Sequence, residues 1–228
     1  MWYREWMKIS VVMPIYNEVG TLSSPGSPPP PFEKEVIIVD DGSRDGTRER
    51  LEKLDPSSGI KIFYHERNLG KSAALRTGFR HVTGEIVLIQ DADLEYNPVD
   101  YAKLLKLILD GKTDVVYGSR FMRGRGTAYG WHFAVNRLLT FLGNMLTRLD
   151  LSDIETCYKA FRREVLDQIR SQRFGFDPEF TVKAAKRKLR ICEVQIEYLA
   201  RGYHQGKKAS WLDGLESMFS IFWFRLFN

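Results

Sequence analysis

Short apolar runs along the chain alternate with amphipathic stretches of roughly ten residues. The apolar runs predict strands, and the stretches with helical spacing predict helices between them. We predict strands over residues 9–15, 36–39, 60–65, 85–90 and 114–117, and helices over residues 47–54, 71–82 and 99–109. Strands that alternate with helices favour a mainly parallel sheet with right-handed crossovers. The first half of the chain is therefore predicted to be α/β.

One connection departs from this alternation. Between Glu18 and Glu33 the chain contains the run SSPGSPPPP at residues 23–31. Prolines at that density remove backbone donors and clash with preceding carbonyls, so a regular helix cannot form there. We expect a short extended loop instead, and its effect on a neighbouring site is left open.

Two stretches in the second half have apolar residues at helical spacing, residues 132–149 and 211–227. Neither contains the run of about 18 apolar residues that a membrane span requires. Helices of this aromatic and basic type lie in a membrane interface, or they form core or dimer contacts. We expect residues 1–212 to form one domain and residues 213–228 to form a C-terminal amphipathic helix that faces a membrane or a partner.

Composition narrows the class of protein. The 228 residues are enough for one core, and the net charge of +5 favours anionic partners. Two cysteines are too few for a disulfide framework, and Met1 to Met7 contain no apolar run of signal-peptide length, so we expect a cytoplasmic location. The basic run at residues 183–190 is interpreted as a solvated helix face, and no nucleic-acid partner is expected.

Charged and polar residues follow the predicted strands at the point where each strand ends. In a parallel sheet those ends meet at one edge, where open α/β folds place their ligands. Each residue alone is also typical of a turn, a helix cap or a solvated charge. Together they favour a nucleotide site, and the residues are Asn17, Glu18, Asp40, Asp41, Lys71, Asp91 and Asp93.

The triplet Asp91-Ala92-Asp93 follows a buried apolar run and supplies two carboxylates. Hard oxygen ligands beside a phosphate suit Mg²⁺ or Mn²⁺, and Glu95 can supply a third oxygen. The triplet in isolation is more typical of a capping aspartate beside a solvated one. A calcium loop of the EF-hand type is excluded, because the segment that starts at Asp91 has no glycine at its sixth position.

Four motifs in order carry a family resemblance: ISVVMPIYNE at 9–18, VDDGS at 39–43, NLGK at 68–71 and DAD at 91–93. They resemble the donor half of family 2 glycosyltransferases of the GT-A fold. The later motifs YGSR at 117–120, ETCYK at 155–159, and GKK at 206–208 with WLDG at 211–214 are similar to the branch with dolichyl-phosphate mannose and glucose synthases and bacterial polyprenyl-phosphate relatives. The resemblance covers about residues 7–215.

The resemblance implies a Rossmann-like mixed, mainly parallel sheet flanked by helices. It also implies a nucleotide-sugar donor of the GDP-mannose or UDP-glucose type, a divalent metal, and inverting transfer of a hexose to a polyprenyl or dolichyl phosphate at the cytosolic membrane face. Nucleotide-binding positions of the family fall on Pro14, Tyr16, Glu18, Asp40, Asp41 and Lys71. Its ribose, diphosphate and metal positions fall on Asp91 and Asp93.

Basic residues outside the donor motifs suit a phosphate acceptor. Arg120, Arg123 and Arg125 follow the fifth predicted strand among glycines, and guanidinium groups bind phosphates bidentately. For Arg123 and Arg125, a basic surface loop is an equal alternative. Arg201, Lys207 and Lys208 alternate with glycines in a segment that suits a mobile lid.

The expected mechanism needs few catalytic groups. A phosphate monoester is already negatively charged near neutral pH and can attack without a general base. Asp93 with its metal, and Arg120, are then expected to stabilise the departing nucleoside diphosphate. Glu155 is the candidate base if the acceptor is instead a hydroxyl of a glycan, and its alternative role is to orient basic side chains. A membrane subunit or a second copy of the chain is left open as a partner.

Overall fold

The computed structural model describes residues 7–21, 33–54, 59–93, 95–122, 130–168, 176–199 and 211–227. The prediction of an extended loop in the proline-rich connection falls outside these residues. The described chain contains seven strands in one sheet: β1 (Lys8–Ile15), β2 (Glu33–Asp40), β3 (Ile60–Tyr64), β4 (Ile86–Ile89), β5 (Val115–Ser119), β6 (Lys159–Arg162) and β7 (Ile191–Gln195).

Seven α-helices accompany the described strands: α1 (Thr47–Leu51), α2 (Lys71–Phe79), α3 (Tyr101–Leu109), α4 (Gly130–Thr147), α5 (Glu164–Gln168), α6 (Phe176–Lys186) and α7 (Trp211–Phe227). A 3₁₀ turn at Pro98–Asp100 precedes α3, and Asn97 caps it by accepting the Val99 N–H. Helix α2 ends three residues earlier than its apolar pattern predicts. Beyond it, Thr83 and Gly84 donate to the carboxylate of Glu35 instead of continuing the helix.

The order of strands in the sheet is β3-β2-β1-β4-β6-β5-β7. Strand β6 is antiparallel to both of its neighbours, and every other pairing is parallel. The predicted mixed, mainly parallel GT-A-like sheet is therefore confirmed. The antiparallel strand was not anticipated from the apolar pattern.

Side chains alternate between the two faces of the sheet, as the period of two in an extended strand requires. On one face, Val11 and Val36 pack in a cluster with Leu104 and Ile108 of α3. On the other face, Val12 belongs to the cluster built with α2 and α6. The sheet is thus buried between two helical layers, which leaves its edges as the places where polar residues can gather.

Helix α7 packs against α4 and α6 rather than standing apart from them. Ile221 and Phe224 are buried in a cluster with Leu139 of α4 and Val182 of α6. Among the helices in the described residues, none has both the length and the apolar character to cross a membrane. The division of the chain at residue 212, with a membrane- or partner-facing helix beyond it, stays a prediction.

Candidate active site

The sequence-predicted residues lie where the parallel strands end. Pro14 is near the end of β1, with Tyr16 and Glu18 in the loop that follows, and all three are half-buried. Asp40 closes β2, and Asp91 follows β4 by two residues. Because these strands run in the same direction, their carboxyl ends lie along one edge of the sheet.

Strand β6 brings a further segment to this edge because it runs in the opposite direction. Its first residue, Lys159, pairs with Tyr117 near the end of β5. The turn at residues 153–158 that precedes β6 therefore lies at the edge where the other strands end. This antiparallel strand explains how Glu155, far from the donor motifs in sequence, reaches the same edge.

Hydrogen bonds join the loop after β1 to the loop after β2. The backbone N–H of Asn17 donates to Ser43 Oγ at 2.9 Å, and that of Glu18 donates to Thr47 Oγ1 at 2.9 Å. Gly42 has a φ of +75°, and a Cβ there would lie 2.5 Å from the backbone carbon of Arg67. A side chain at residue 42 would push the loop after β2 away from the connection between β3 and α2, so the close approach requires a glycine there.

Asp40 is fully buried and its carboxylate is bound within the protein. Oδ2 accepts hydrogen bonds from the Nε and Nη2 of Arg48 at 3.0 and 2.9 Å, and Oδ1 accepts from the Ser43 N–H. The guanidinium also donates to the carbonyl of His65 at 2.7 Å. Asp40 and Arg48 thus tie the end of β2 to the end of β3.

Asp41 organises the loop that leads to Lys71. Its two carboxylate oxygens accept the backbone N–H groups of Leu69 and Gly70 at 3.0 and 2.8 Å. Oδ1 also lies 2.7 Å from Nδ1 of His65, whose Nε2 lies 2.9 Å from Thr77 Oγ1. The side chain is buried, so its contact with a nucleotide stays a prediction, while its hold on the start of α2 is a feature of the structure.

Lys71 and Asp91 form a close ion pair. The ammonium lies 2.6 and 2.8 Å from the two carboxylate oxygens of Asp91. Burial favours the neutral amine, but Asp91 and other acidic neighbours outweigh it and hold the pKa of Lys71 well above its ordinary value. The lysine is consequently a permanent cation beside the predicted diphosphate position.

The three predicted metal ligands differ in their contacts. Asp93 accepts the Glu95 N–H at 3.2 Å, Glu95 accepts the hydroxyl of Tyr198 at 2.9 Å, and Asp91 binds Lys71. Within the described residues, no group of three or more histidine, cysteine or acidic side chains is placed to hold a metal ion. The set of Asp91, Asp93 and Glu95 stays a prediction.

Arg120 is occupied by a buried carboxylate. Its Nε and Nη2 donate to Oδ2 and Oδ1 of Asp153 at 2.6 and 2.7 Å, and its guanidinium lies over the rings of Phe121 and Tyr198. Burial disfavours the charged form of Asp153, but Arg120 reverses this and lowers the pKa of the carboxyl. If Arg120 binds phosphate as predicted, it does so while its guanidinium remains paired with Asp153.

A second buried ion pair, Lys159 with Asp177, supports the turn that precedes β6. Lys159 is fully buried, and its ammonium binds Asp177 in the first turn of α6 and the carbonyl of Thr156. It also donates to the carbonyl of Ile154 at 3.3 Å. These bonds hold the backbone on both sides of Glu155, so Lys159 sets the shape of that turn.

Glu155 itself is held by few contacts. Ser217 of α7 donates to Oε2 at 3.3 Å, and Oε1 is buried without a hydrogen-bond partner among the described residues. Burial, reinforced by the charge of Asp177, raises the pKa of Glu155 to about 7. A carboxyl near this pKa can be protonated or ionised at neutral pH, which suits acid–base work.

Several residues of this edge escaped sequence analysis. Asp153, Asp177 and Ser217 carry no local signal, since each acts on a residue distant in sequence. Cys157, near Lys71 and Asp91, is a free thiol whose pKa burial raises well above its ordinary value. Five predicted residues lie outside the described part of the chain and stay predictions: Arg123, Arg125, Arg201, Lys207 and Lys208.

Two curated proteins of similar sequence cover most of the chain. A dolichol-phosphate mannosyltransferase of Pyrococcus furiosus is 28% identical over 88% of this chain and 59% of its own length. An undecaprenyl-phosphate mannosyltransferase of Micrococcus luteus is 30% identical over 91% of this chain and 90% of its own length. The chain thus spans little more than half of the first relative and nearly all of the second.

A solved structure shares the fold. The glucosyl-3-phosphoglycerate synthase of Mycobacterium tuberculosis, in complex with Mn²⁺, uridine diphosphate and phosphoglyceric acid, superposes with a TM-score of 0.71 at 19% identity. The match covers 97% of this chain and 80% of that one. The model of the family described as glycosyl transferase family 2 matches residues 10–170. The chain belongs to glycosyl transferase family 2.

Proposed function

We propose that this protein transfers a hexose from a nucleotide sugar to a polyprenyl phosphate, with inversion, at the cytosolic face of a membrane. The observation that carries the proposal is the meeting of two groups at one edge of the sheet. The donor group comprises Asp40, Asp41, Lys71, Asp91 and Asp93, and the acceptor group comprises Arg120, Asp153, Glu155, Lys159 and Asp177. The two curated relatives, named for mannosyl transfer with dolichol phosphate and undecaprenyl phosphate, support this acceptor class.

The donor group suits a nucleoside diphosphate. The ammonium of Lys71 is held by Asp91 and faces the predicted diphosphate position as a fixed cation. Asp93 supplies hard carboxylate oxygens for Mg²⁺ or Mn²⁺, and the synthase of similar fold was solved with Mn²⁺. When bound, such a cation would neutralise charge on the departing diphosphate. Whether the base is guanine or uracil and the sugar mannose or glucose is to be decided by experiment.

The acceptor group holds its two cations in ion pairs, so whether it accepts a negatively charged substrate depends on the protonation of Glu155. Arg120 and Lys159 are cations held within the protein by Asp153 and Asp177. Glu155 would repel a phosphate when ionised, but its raised pKa allows a protonated form that donates a hydrogen bond instead. A phosphate acceptor needs no base to remove a proton from it, so a protonated Glu155 is compatible with this acceptor.

Exposed apolar side chains on α4 and α7 support the proposed membrane association. Apolar side chains exposed on these two helices are Leu138, Phe141, Met145, Phe219, Phe222, Trp223, Leu226 and Phe227. Arg225 is exposed on α7 beside them. Burial lowers the pKa of Lys186 of α6, and the nearby charge of Arg225 lowers it further. Aromatic and basic residues together favour the interface of an anionic membrane.

The direct test is transfer itself. Purified protein with Mg²⁺ or Mn²⁺ is incubated with a panel of GDP- and UDP-hexoses and either a polyprenyl phosphate or a glycan with free hydroxyls. We expect a glycolipid with inverted anomeric configuration and no extension of the glycan. Glycan extension without glycolipid would contradict the proposal.

Substitution Glu155→Gln separates the two acceptor classes. Gln keeps a hydrogen-bond donor and removes the negative charge, so transfer to a phosphate should persist within about tenfold, whereas loss of a general base costs about 10²–10⁴-fold. Leu107→Ala, far from this edge on α3, serves as a control for nonspecific loss of packing. Loss of transfer by about 10²-fold or more in Glu155→Gln, with donor binding retained, would favour a hydroxyl acceptor.

A further inference from the structure

We infer that the C-terminal helix α7 is a working part of the active site, and that Ser217 is a positioning residue that holds the carboxyl group of Glu155. The consequence for transfer rests on the proposed place of Glu155 beside the acceptor. The contact itself does not depend on that function, and it can be tested without any substrate.

The contact is specific to one hydroxyl. Ser217 Oγ donates to Oε2 of Glu155 at 3.3 Å, and Ser217 is buried while Glu155 is half-buried. Oε1 of the same carboxyl is buried with no hydrogen-bond partner within the described chain. A carboxyl that is so sparsely bonded responds strongly to the gain or loss of one donor.

Packing fixes the helix that carries this hydroxyl. Ser217, Ile221 and Phe224 are buried and lie four and three residues apart, so they share one face of α7. Ile221 and Phe224 pack with α4 and α6. The Ser217 hydroxyl is therefore delivered by a helix whose depth and rotation are set by apolar contacts.

The residue before Glu155 meets α4 at the same place. A Cβ added to Gly143 of α4 would lie 2.1 Å from Cδ1 of Ile154 and 4.0 Å from Cδ1 of Ile221. The glycine thus leaves room for Ile154 against α4, with α7 on the adjacent side. The turn that carries Glu155 and helix α7, which carries Ser217, both pack against α4 near Gly143. This shared contact keeps the distance between Glu155 and Ser217 constant.

The charges around Glu155 oppose one another. Asp177 at the start of α6 and Asp153 in the same turn favour its protonated form, while Lys159 of β6 and Arg120 after β5 favour the ionised form. Helix α4 contributes polar groups there, since Asn136 donates to Asp153 and Thr140 accepts the Ile154 N–H. With burial added, the pKa is raised to about 7, where loss of one donor changes the ionised fraction measurably.

The experiment compares two serines of the same helix. Ser217→Ala removes the donor to Glu155, whereas Ser220→Ala removes a buried hydroxyl that has no partner in the described residues. In full-length protein, the Glu155 carboxyl is titrated through its ¹³C chemical shift, assigned by its disappearance in Glu155→Gln. We expect Ser217→Ala to raise the midpoint by about half a unit to one unit, from a net bond energy near 1 kcal/mol.

Two further variants make the outcome decisive. Ser220→Ala should leave the midpoint unchanged, and Ser217→Thr, which keeps a hydroxyl, should remain close to wild type. An unchanged midpoint in Ser217→Ala, or an equal shift in both alanine variants, would overturn the inference, since packing alone would then account for the result.

Transfer assays distinguish this inference from the proposed function. The pH profile of glycolipid formation should shift in Ser217→Ala in the same direction as the carboxyl midpoint, and that shift should vanish in a Glu155→Gln background. A protein that forms no glycolipid but shows the midpoint shift would refute the function and retain the contact. Glycolipid formation without a midpoint shift would support the proposed function and refute the contact between Ser217 and Glu155.

Discussion

The donor group and the acceptor group hold their charges in different ways. In the donor group, Asp41 binds backbone N–H groups of a neighbouring loop, and Lys71 pairs with Asp91 while remaining partly exposed. In the acceptor group, Arg120 with Asp153 and Lys159 with Asp177 are ion pairs in which at least one partner is fully buried. The donor group also contains one ion pair with a fully buried partner, Asp40 with Arg48, so the two groups differ in how far they depend on such pairs.

This difference predicts two kinds of response to mutation. A loop held by hydrogen bonds can shift when a bond is lost, so binding suffers before folding does. A buried ion pair that loses one partner leaves an uncompensated charge in a medium of low dielectric, so folding suffers first. We therefore expect substitutions in the acceptor group to lower stability first, and substitutions in the donor group to weaken substrate binding first.

The largest effect is expected at Asp93. Asp93→Asn removes the charge that is proposed to hold a divalent cation, and we expect transfer to fall by about 10⁴-fold with the folded state intact, since metal stabilisation of a leaving group contributes several kcal/mol. Radiolabelled glycolipid formation measures this, with circular dichroism as the check on folding. Asp110→Asn, at the C-terminal end of α3, is the control. Activity of Asp93→Asn near that of wild type would refute the assignment of Asp93 as a metal ligand.

The next effect is on folding in the acceptor group. Asp153→Asn leaves the guanidinium of Arg120 buried without its counter-charge, and the free energy of unfolding should fall by about 3–5 kcal/mol. Urea denaturation followed by fluorescence gives this value. The pair of Lys106 with Asp110, in which the lysine is 62% exposed, offers a comparison, because Asp110→Asn should cost much less stability than Asp153→Asn. Equal losses in the free energy of unfolding for Asp153→Asn and Asp110→Asn would contradict the proposed dependence of the acceptor group on its buried ion pairs.

Glu155 is expected to give a pH-dependent effect of intermediate size. Its pKa is about 7 in the folded protein against 4.5 as the ordinary value, so the folded state retains a proton that the unfolded state has lost between these pH values. Wild-type stability therefore falls as pH rises through this window, by about 3 kcal/mol in all.

The variant Glu155→Gln cannot ionise and should escape this loss. Its melting temperature relative to wild type should rise from pH 4.5 to pH 7 and then level off above pH 7. Thermal melts at several pH values measure the difference. A constant difference across this range would mean that the folded-state pKa of Glu155 is not raised.

A smaller effect, on binding rather than stability, is expected in the donor group. Asp41→Asn places an amide donor against one of the two backbone N–H groups that Asp41 accepts, so the loop before Lys71 should shift. We expect KM for the nucleotide sugar to rise about tenfold with a lesser change in kcat, since one hydrogen bond contributes about 1 kcal/mol. Glu66→Gln, exposed on the same connection, is the control, and a pure loss of kcat would contradict a role in donor binding.

The smallest effect is expected on the surface shared by α4 and α7. Trp223 is 44% exposed there, and Trp223→Ala should weaken binding to anionic phospholipid vesicles about fivefold through lost apolar burial. Vesicle sedimentation measures binding, and Tyr64→Ala on the distant edge strand β3 is the matched aromatic control. If both variants bind equally well, the membrane contact lies elsewhere.

The donor group could be predicted from sequence because its residues follow strands in a regular order. Apolar runs predict β1, β2 and β4, and the rule that parallel strands end at one edge predicts that Asp40 and Asp91 lie near each other, as the strand pairing confirms. The roles of Asp40 and Asp41 were harder to assign. Which oxygen binds Arg48, His65 or a loop amide depends on distances that no local pattern encodes.

The acceptor group could be predicted only in part, through the motif at residues 155–159. The direction of β6 could not be predicted from its four residues, KAFR, because the alternation of apolar and polar residues is the same for parallel and antiparallel strands. Arg120 was expected to be available for phosphate, yet Asp153 binds it bidentately. Tertiary folding brought that carboxylate from a turn 33 residues later in the chain.

Sequence alone determined the α/β class, the edge at which charged residues gather, and the family to which those motifs point. These features are local, since they depend on the periodicity of side chains along a strand or helix and on the residues that follow it. Only the tertiary structure decided that β6 runs backwards, that Ser217 meets Glu155, and that two buried ion pairs support the turn between them. The ionisation of a buried carboxyl depends on charges and donors from every element packed around it, and these are assembled only when the chain has folded.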